Sequence, residues 1–149
     1  MAHGELLEAR LTHSVIGAFY EVYNTLGYGF LEHVYAMALE RELRCRGHTV
    51  VREFSIRVMY KGEELAAQRL DMLVDNKLVV ELKSTQDLHK AVTRQVYNYL
   101  RATTLELGLV LHFGPEAKFY RVIHRHPRKP PSASEASVRI AFDPLFPSS

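Results

Sequence analysis

RLDMLVDNKLVVELKS, Arg69 to Ser84, reads as two short apolar strands around a turn, yet Asp71, Glu81 and Lys83 interrupt the apolar pattern. A charge in a buried strand is costly unless it is paired, hydrogen-bonded or bound to a metal. Either the strands have a wet edge, or the three residues form a site. Loop length separates the two readings. If Asp75, Asn76 and Lys77 form a three-residue loop, Val74 pairs with Leu78, and counting back places Asp71 opposite Glu81. Opposed residues share one face of the sheet, with Cβ atoms about 4.5–5.5 Å apart. Lys83, two residues past Glu81, lies on that face as well. A two-residue loop would put the carboxylates on opposite faces and dissolve the site. Asn76 tolerates the left-handed conformation that a three-residue loop needs.

Two close carboxylates repel, and so invite a hard divalent cation with a preference for oxygen, Mg²⁺ above all. Such an ion can activate a water and neutralise charge building on a phosphoryl group. A lysine just beyond the second carboxylate can steady the attacking water or a phosphate oxygen. The competing reading is a surface ion pair between Lys83 and one carboxylate, which contributes little.

The 149 residues, 47% hydrophobic and 24% charged, suit one soluble domain with a core of its own. One cysteine, Cys45, excludes an internal disulfide and fits a reducing cytoplasm. The opening MAHGELLEAR lacks the apolar run of a signal peptide, and no segment approaches the roughly twenty apolar residues that span a bilayer. A net charge of +2 is compatible with a nucleic-acid partner without requiring one. Arginines cluster at Arg41, Arg44, Arg46 and Arg52, and again at Arg121, Arg125 and Arg128 beside Lys129; a solvated face explains them as well as a phosphate track does.

Apolar spacing predicts helices over Leu6–Leu26 and about Phe30–Arg46, broken by Gly27–Tyr28–Gly29 and stopped by Gly47. Strands are expected over Thr49–Tyr60, Leu65–Val74 and Leu78–Ser84, then a helix over Gln86–Thr103, then strands Leu107–Phe113 and Lys118–His124. The order α-α-β-β-β-α-β-β predicts an α/β fold: a three-layer core with a mixed central β-sheet flanked by helices. Residues 1–126 make the domain. Residues 127–149, beginning PRKPPSASEAS and ending in VRIAFDPLFP, read as a flexible C-terminal tail.

Glu32 heads an apolar stripe of Tyr35, Leu39 and Leu43, although a first-turn glutamate is also favoured by the helix dipole and can cap. Gln95 and Tyr99 lie four apart within the stripe of Leu88 and Val92, and an amide on a buried face needs partners. The histidines show no HExxH pattern and no cysteine pair accompanies them, so zinc signatures are absent. His124 and His126 are expected to be exposed. There is no phosphate-cradling glycine loop and no nucleophile turn of a serine hydrolase.

GFLEHVY, Gly29 to Tyr35, resembles the signature of the GxxExxY proteins, a family similar to the RecB-like branch of the PD-(D/E)XK nucleases. Asp71 followed by Glu81–Leu82–Lys83 matches the nuclease pattern of an acid and then E-x-K. Gln95 and Tyr99 match the branch's Q-x-x-x-Y, and Glu32 its helical acid. The resemblance spans roughly Leu11 to His124 and implies a restriction-endonuclease-like core. It implies Asp71 and Glu81 as metal ligands, with the Leu82 backbone carbonyl completing the shell. Lys83 would be the catalytic lysine, Glu32 an additional acid at the metal, and Gln95 and Tyr99 substrate-side supports. Leu70 stands where the wider motif has proline, and Val92 where relatives often carry a histidine. The function expected is Mg²⁺-dependent hydrolysis of nucleic acid, DNA foremost, with Mn²⁺ as a substitute ion and a homodimer left open. The alternative is a non-catalytic nucleic-acid-binding or scaffolding protein on the same fold. A third is an accessory subunit whose AFDPLF segment docks a partner.

Overall fold

The computed structural model describes residues 8–127. Its helices are α1 (Ala9–Leu26), α2 (Glu32–Cys45) and α3 (Ala91–Arg101). The strands are β1 (Val50–Tyr60), β2 (Glu63–Val74), β3 (Leu78–Lys83), β4 (Leu107–Phe113) and β5 (Ala117–Ile123). They form one five-stranded sheet in sequence order, antiparallel except for the β3–β4 pair. That parallel step requires a crossover, which α3 supplies.

Two apolar clusters sandwich the sheet. On one face, Val15, Phe19 and Val22 of α1 and Tyr35, Leu39 and Leu43 of α2 pack on Leu78, Val80, Leu82, Leu109 and Leu111. On the other, Val92, Val96 and Leu100 of α3 cover Leu73, Val79 and Val110. This is the three-layer α/β core expected. Phe113 centres the first layer, stacked on Tyr35 at 4.2 Å and edge-on to Phe19 at 4.8 Å. The described residues hold no helix long and apolar enough to cross a membrane.

Two boundaries and the exposure of two histidines depart from expectation. The second strand begins at Glu63, because Lys61 and Gly62 alone make the turn, both at positive φ (49° and 85°) as a two-residue hairpin requires. The third helix begins at Ala91 rather than Gln86, since the Thr85 hydroxyl donates to the Asp87 carbonyl and holds that segment in a turn. His126 is half-buried, its ring facing the Leu100 and Leu105 carbonyls at 3.1 and 3.0 Å, and His124 packs edge-on against Tyr97. The segment from Arg128 onward, with the AFDPLF stretch, and Leu6 and Leu7 of the first expected helix lie outside the described residues.

Gly108 sets how closely α3 approaches the sheet. A Cβ there would lie 2.6 Å from Val96 Cγ1, and Val96 is buried, with a β-branched side chain that has little rotamer freedom. Gly108→Ala is therefore expected to destabilise the fold by about 1–3 kcal/mol through overpacking. Urea denaturation measures this, and adding Val96→Ala should recover most of the loss. Equal stability of the single variant and the parent would show that α3 can move off the sheet at no cost.

Candidate active site

The β2–β3 turn comprises Asp75, Asn76 and Lys77, with Asp75 and Asn76 at φ 52° and 57°. Val74 pairs with Leu78, Leu73 with Val79 and Met72 with Val80, so the next rung belongs to Asp71 and Glu81. Side chains take over the bonding there. The Asp71 N–H donates to Glu81 Oε1 at 2.9 Å, and the Leu82 N–H donates to Asp71 Oδ2 at 2.8 Å. Each carboxylate is thus fixed through one oxygen by the neighbouring strand's backbone.

Asp75 anchors the turn from outside. Its Oδ1 accepts from the Thr49 N–H at 2.8 Å, and its Oδ2 meets His48 Nδ1 at 2.7 Å. His48 Nε2 in turn meets the Ser14 hydroxyl at 2.7 Å. These bonds hold the Asp75 carboxyl below its usual range, against an opposing effect of burial that is the largest single influence on it.

Opposite Asp71 on its other side, β1 kinks. Glu53 has φ 53°, and the β1–β2 register passes from the Arg52–Met72 pair to the Phe54–Leu70 pair without a partnered rung between. The faces exchange at this rung. Val50 and Met72 pack with α1 and α2, whereas Phe54 and Leu70 pack with the α3 layer. Backbone strain of this kind clusters where a strand must re-aim a functional side chain.

Glu32 and Asp71 line one small cleft of about 120 Å³, together with His33, Ala36, Arg52 and Glu53. Glu32 does not cap its own helix. No side chain caps α2, and the Glu32 carboxylate instead accepts a hydrogen bond from the Ser84 backbone. The rest of the GFLEHVY stretch builds the approach. Gly29 adopts φ 115°, and the buried Tyr35 hydroxyl donates to the Gly27 carbonyl while accepting from the Phe30 N–H.

Burial, and then the neighbouring charge of Asp71, push the Glu81 carboxyl up to about 7. Asp71 is raised by burial too, against the Leu82 hydrogen bond and the charges of Lys83 and Arg52, with Glu53 pushing the same way as burial. Glu32 is raised by burial and by Asp71. Lys83 lowers all three acids, and among the described residues it makes no ion pair with any one of them. Tyr99, half-buried on α3, has its phenol raised by burial and by Glu81 and Asp71, which places it with the acids.

Gln95 departs from the expected buried amide. It is exposed, because α3 turns Val92, Val96 and Leu100 inward and leaves the intervening position to solvent. It remains one helical turn from Tyr99. Two neighbours, Glu53 and His112, were not singled out from sequence, and Arg52 was read only within a cluster of arginines. Glu53 and Arg52 line the cleft; Arg52 bonds Glu40 at 3.1 Å, and its Nε is buried without a hydrogen-bond partner among the described residues. His112 pairs with Lys83 on β4 and is buried, its Nε2 facing the Thr85 carbonyl at 2.8 Å. It ties down the segment that leaves Lys83.

The donor set suits a hard cation. Glu81 is buried and Asp71 half-buried, and the charge of Lys83 offsets only part of what raises the two carboxyls. No three His, Cys, Asp or Glu side chains among the described residues converge into a cage. A pair of carboxylates leaves most positions of a hard divalent cation to other oxygen donors, water and substrate phosphate.

No curated protein matches the chain. Among solved structures, the one titled "Crystal structure of SSO0001" superposes with a TM-score of 0.51 at 18% identity, covering 72% of this chain and 54% of that one. At that identity the likeness is one of fold, and this chain spans about half of that protein's length. The family model described as the PD-(D/E)XK nuclease superfamily matches residues 9–125. With most of its length matched and the acids of β2 and β3 interlocked as described, the chain belongs to the PD-(D/E)XK nuclease superfamily.

Proposed function

We propose that this protein is a metal-dependent nuclease that hydrolyses phosphodiester bonds, with DNA as substrate, Mg²⁺ as the working ion and Mn²⁺ as a competent substitute. The observation that carries the proposal is the reciprocal pair of hydrogen bonds between Asp71 and the Glu81–Leu82 segment. They hold two repelling carboxylates together, and a fold gains no stability from that arrangement. Asp71 and Glu81 would hold the ion, with the Leu82 carbonyl and Glu32 as further donors. A divalent cation bound there supplies an activated water and charge neutralisation at the phosphoryl group.

The protein's own residues do the rest. Lys83, within electrostatic reach of all three acids, orients the attacking water and faces the charge that develops on the phosphate. Tyr99 and Gln95 form the substrate-side wall on α3. The Ser84 backbone and the Tyr35-bonded loop fix Glu32 against the end of β3.

The test is cleavage of supercoiled plasmid, linear duplex, single-stranded DNA and RNA in Mg²⁺, Mn²⁺ or EDTA. Metal-dependent cleavage of DNA, abolished by EDTA, is expected. Nucleic acid bound but cut under no condition would favour the non-catalytic binding protein instead.

A further inference from the structure

β1 and β2 outrun the rest of the sheet. β3 pairs with β2 only from Met72 to Val74, so beyond Phe54 and Leu70 the two strands continue as a ribbon. Glu63 to Arg69 are all exposed. From the Phe54–Leu70 rung to the tip the ribbon extends by about 20 Å, at roughly 3.3 Å per residue. Ser55 and Ile56 are still buried at its base, and the outer part from Arg57 to the tip is a two-stranded ribbon, at best marginally stable by itself, whose projection calls for an occupant.

We infer that this arm, Arg57 to Arg69, is a duplex-binding ribbon that enters the major groove beside the scissile phosphate; the inference rests on the nuclease reading above. Position argues for it first. The arm springs from the kink at Glu53, across from Asp71, and Arg69 lies two residues, about 7 Å, from Asp71. Nucleic acid held at Asp71 and Glu81 has the arm alongside its next base pairs. Shape argues for it second. The B-form major groove, about 12 Å wide, admits a two-stranded ribbon without deformation of the duplex, whereas the minor groove, about 6 Å wide, would have to open to take one. Ala66 and Ala67 keep one strand thin on both faces.

Charge supplies the third argument. Arg57 pairs with Ala67 and Arg69 with Ser55, which makes the two arginines diagonal neighbours on one face. Arg57 has only an exposed, long ion pair with Glu64 (3.4 Å), readily exchanged for a phosphate. Arg69 makes no ion pair among the described residues. Lys61 and the exposed Met59, Tyr60 and Leu65 sit at the tip beside Glu63 and Glu64, so the net positive charge lies at Arg57 and Arg69 and the tip offers apolar contact to base edges. A second copy of the chain is the weaker occupant. Three apolar side chains fall well short of the roughly 1,000 Å² that a stable protein interface needs.

The experiment measures binding of the full chain to a 20-base-pair duplex and to one of its strands by fluorescence anisotropy in EDTA, across a salt series. In the double variant Arg57→Ala/Arg69→Ala, duplex affinity should fall roughly tenfold, and the slope of log K against log salt should shrink by about 2. Single-strand affinity should change far less. A second variant replaces Val58–Ala66 by Asn-Gly, ending the ribbon at the Arg57–Ala67 rung, and should erase the preference for duplex. Unchanged duplex affinity and salt slope in both variants would overturn the inference. So would a shortened variant that goes from dimer to monomer in sedimentation velocity while keeping its duplex affinity, since the arm would then serve self-association. Cleavage is scored separately on the unaltered protein in Mg²⁺. Arm-dependent duplex binding without cleavage removes the nuclease reading and leaves the ribbon standing.

Discussion

Glu81→Gln is expected to lower DNA cleavage at least about a thousandfold, and Lys83→Ala to do the same, each leaving the fold intact. Glutamine keeps the shape of the side chain, and its amide oxygen can still accept the Asp71 N–H, so the β2–β3 rung survives. What disappears is the charge. Lys83→Ala acts differently, because Lys83 is the cation that lowers Glu32, Asp71 and Glu81 together. Without it, the three acids rise further, and the residual activity of that variant should shift to higher pH. Glu81→Gln should show no such shift. Single-turnover cleavage across pH, with circular dichroism as the control for folding, separates the two. Activity within tenfold of the parent in either variant would remove that residue from the chemistry.

The second large effect links stability, pH and metal. Burial and Asp71 raise the Glu81 carboxyl to about 7, whereas an unfolded glutamate titrates near 4.5. Between those values the folded state binds more protons than the unfolded one, so stability falls as pH rises through that window. At about 1.4 kcal/mol per unit of pKa, the loss from Glu81 alone is on the order of 3 kcal/mol, complete above pH 7. Asp71 and Glu32, both raised, act in the same direction. Asp75 is lowered, so its contribution is present above the ordinary carboxylate range and is lost only as pH falls. Metal-free protein should therefore melt at a lower temperature at pH 8 than at pH 5.5. Mg²⁺ or Mn²⁺ should raise the melting temperature more at pH 8, because at pH 5.5 the ion must displace a proton. Glu81→Gln should flatten the metal-free profile and remove most of the response to metal. A shift on adding metal that is equal at both pH values would contradict this account.

The stretch from Arg69 to Ser84 was legible because period-two alternation and an odd-numbered loop are local properties. The interlock of Asp71 with Glu81 follows from counting rungs. Glu32 could not be assigned in the same way. A first-turn glutamate satisfies a helix N-terminus and a catalytic cleft equally well, and only the tertiary bond to Ser84 separates them. The start of α3 was misread because Gln86 to Lys90 are competent in a helix, while the Thr85 hydroxyl and the ring of His112 hold the segment otherwise. The kink at Glu53 was invisible for a sharper reason. Apolar residues at even positions stand on both sides of it (Val50, then Phe54, Ile56 and Val58, with Arg52 between), and Leu70, Met72 and Val74 run unbroken on β2. Nothing in the pattern announces that Val50 and Phe54 pack on opposite faces of the sheet. Arg52 consequently reads only as one of a cluster of arginines, solvated face or phosphate track alike, and Glu53 does not stand out at all.

The Asp75–Lys77 turn carries a consequence for how such a chain can change over generations. It lies at the far end of the hairpin from Asp71, yet it fixes which side chains meet there by being odd in length. Gaining or losing a single codon in this turn would invert one strand relative to the other and separate the acids. A change of two codons would preserve their meeting, provided that the Asp75 carboxylate or a replacement still held Thr49 and His48. Length variation at this locus is therefore filtered by parity before the chemistry of any inserted residue matters. A turn remote from the cleft is thus bound to the reading frame of the site.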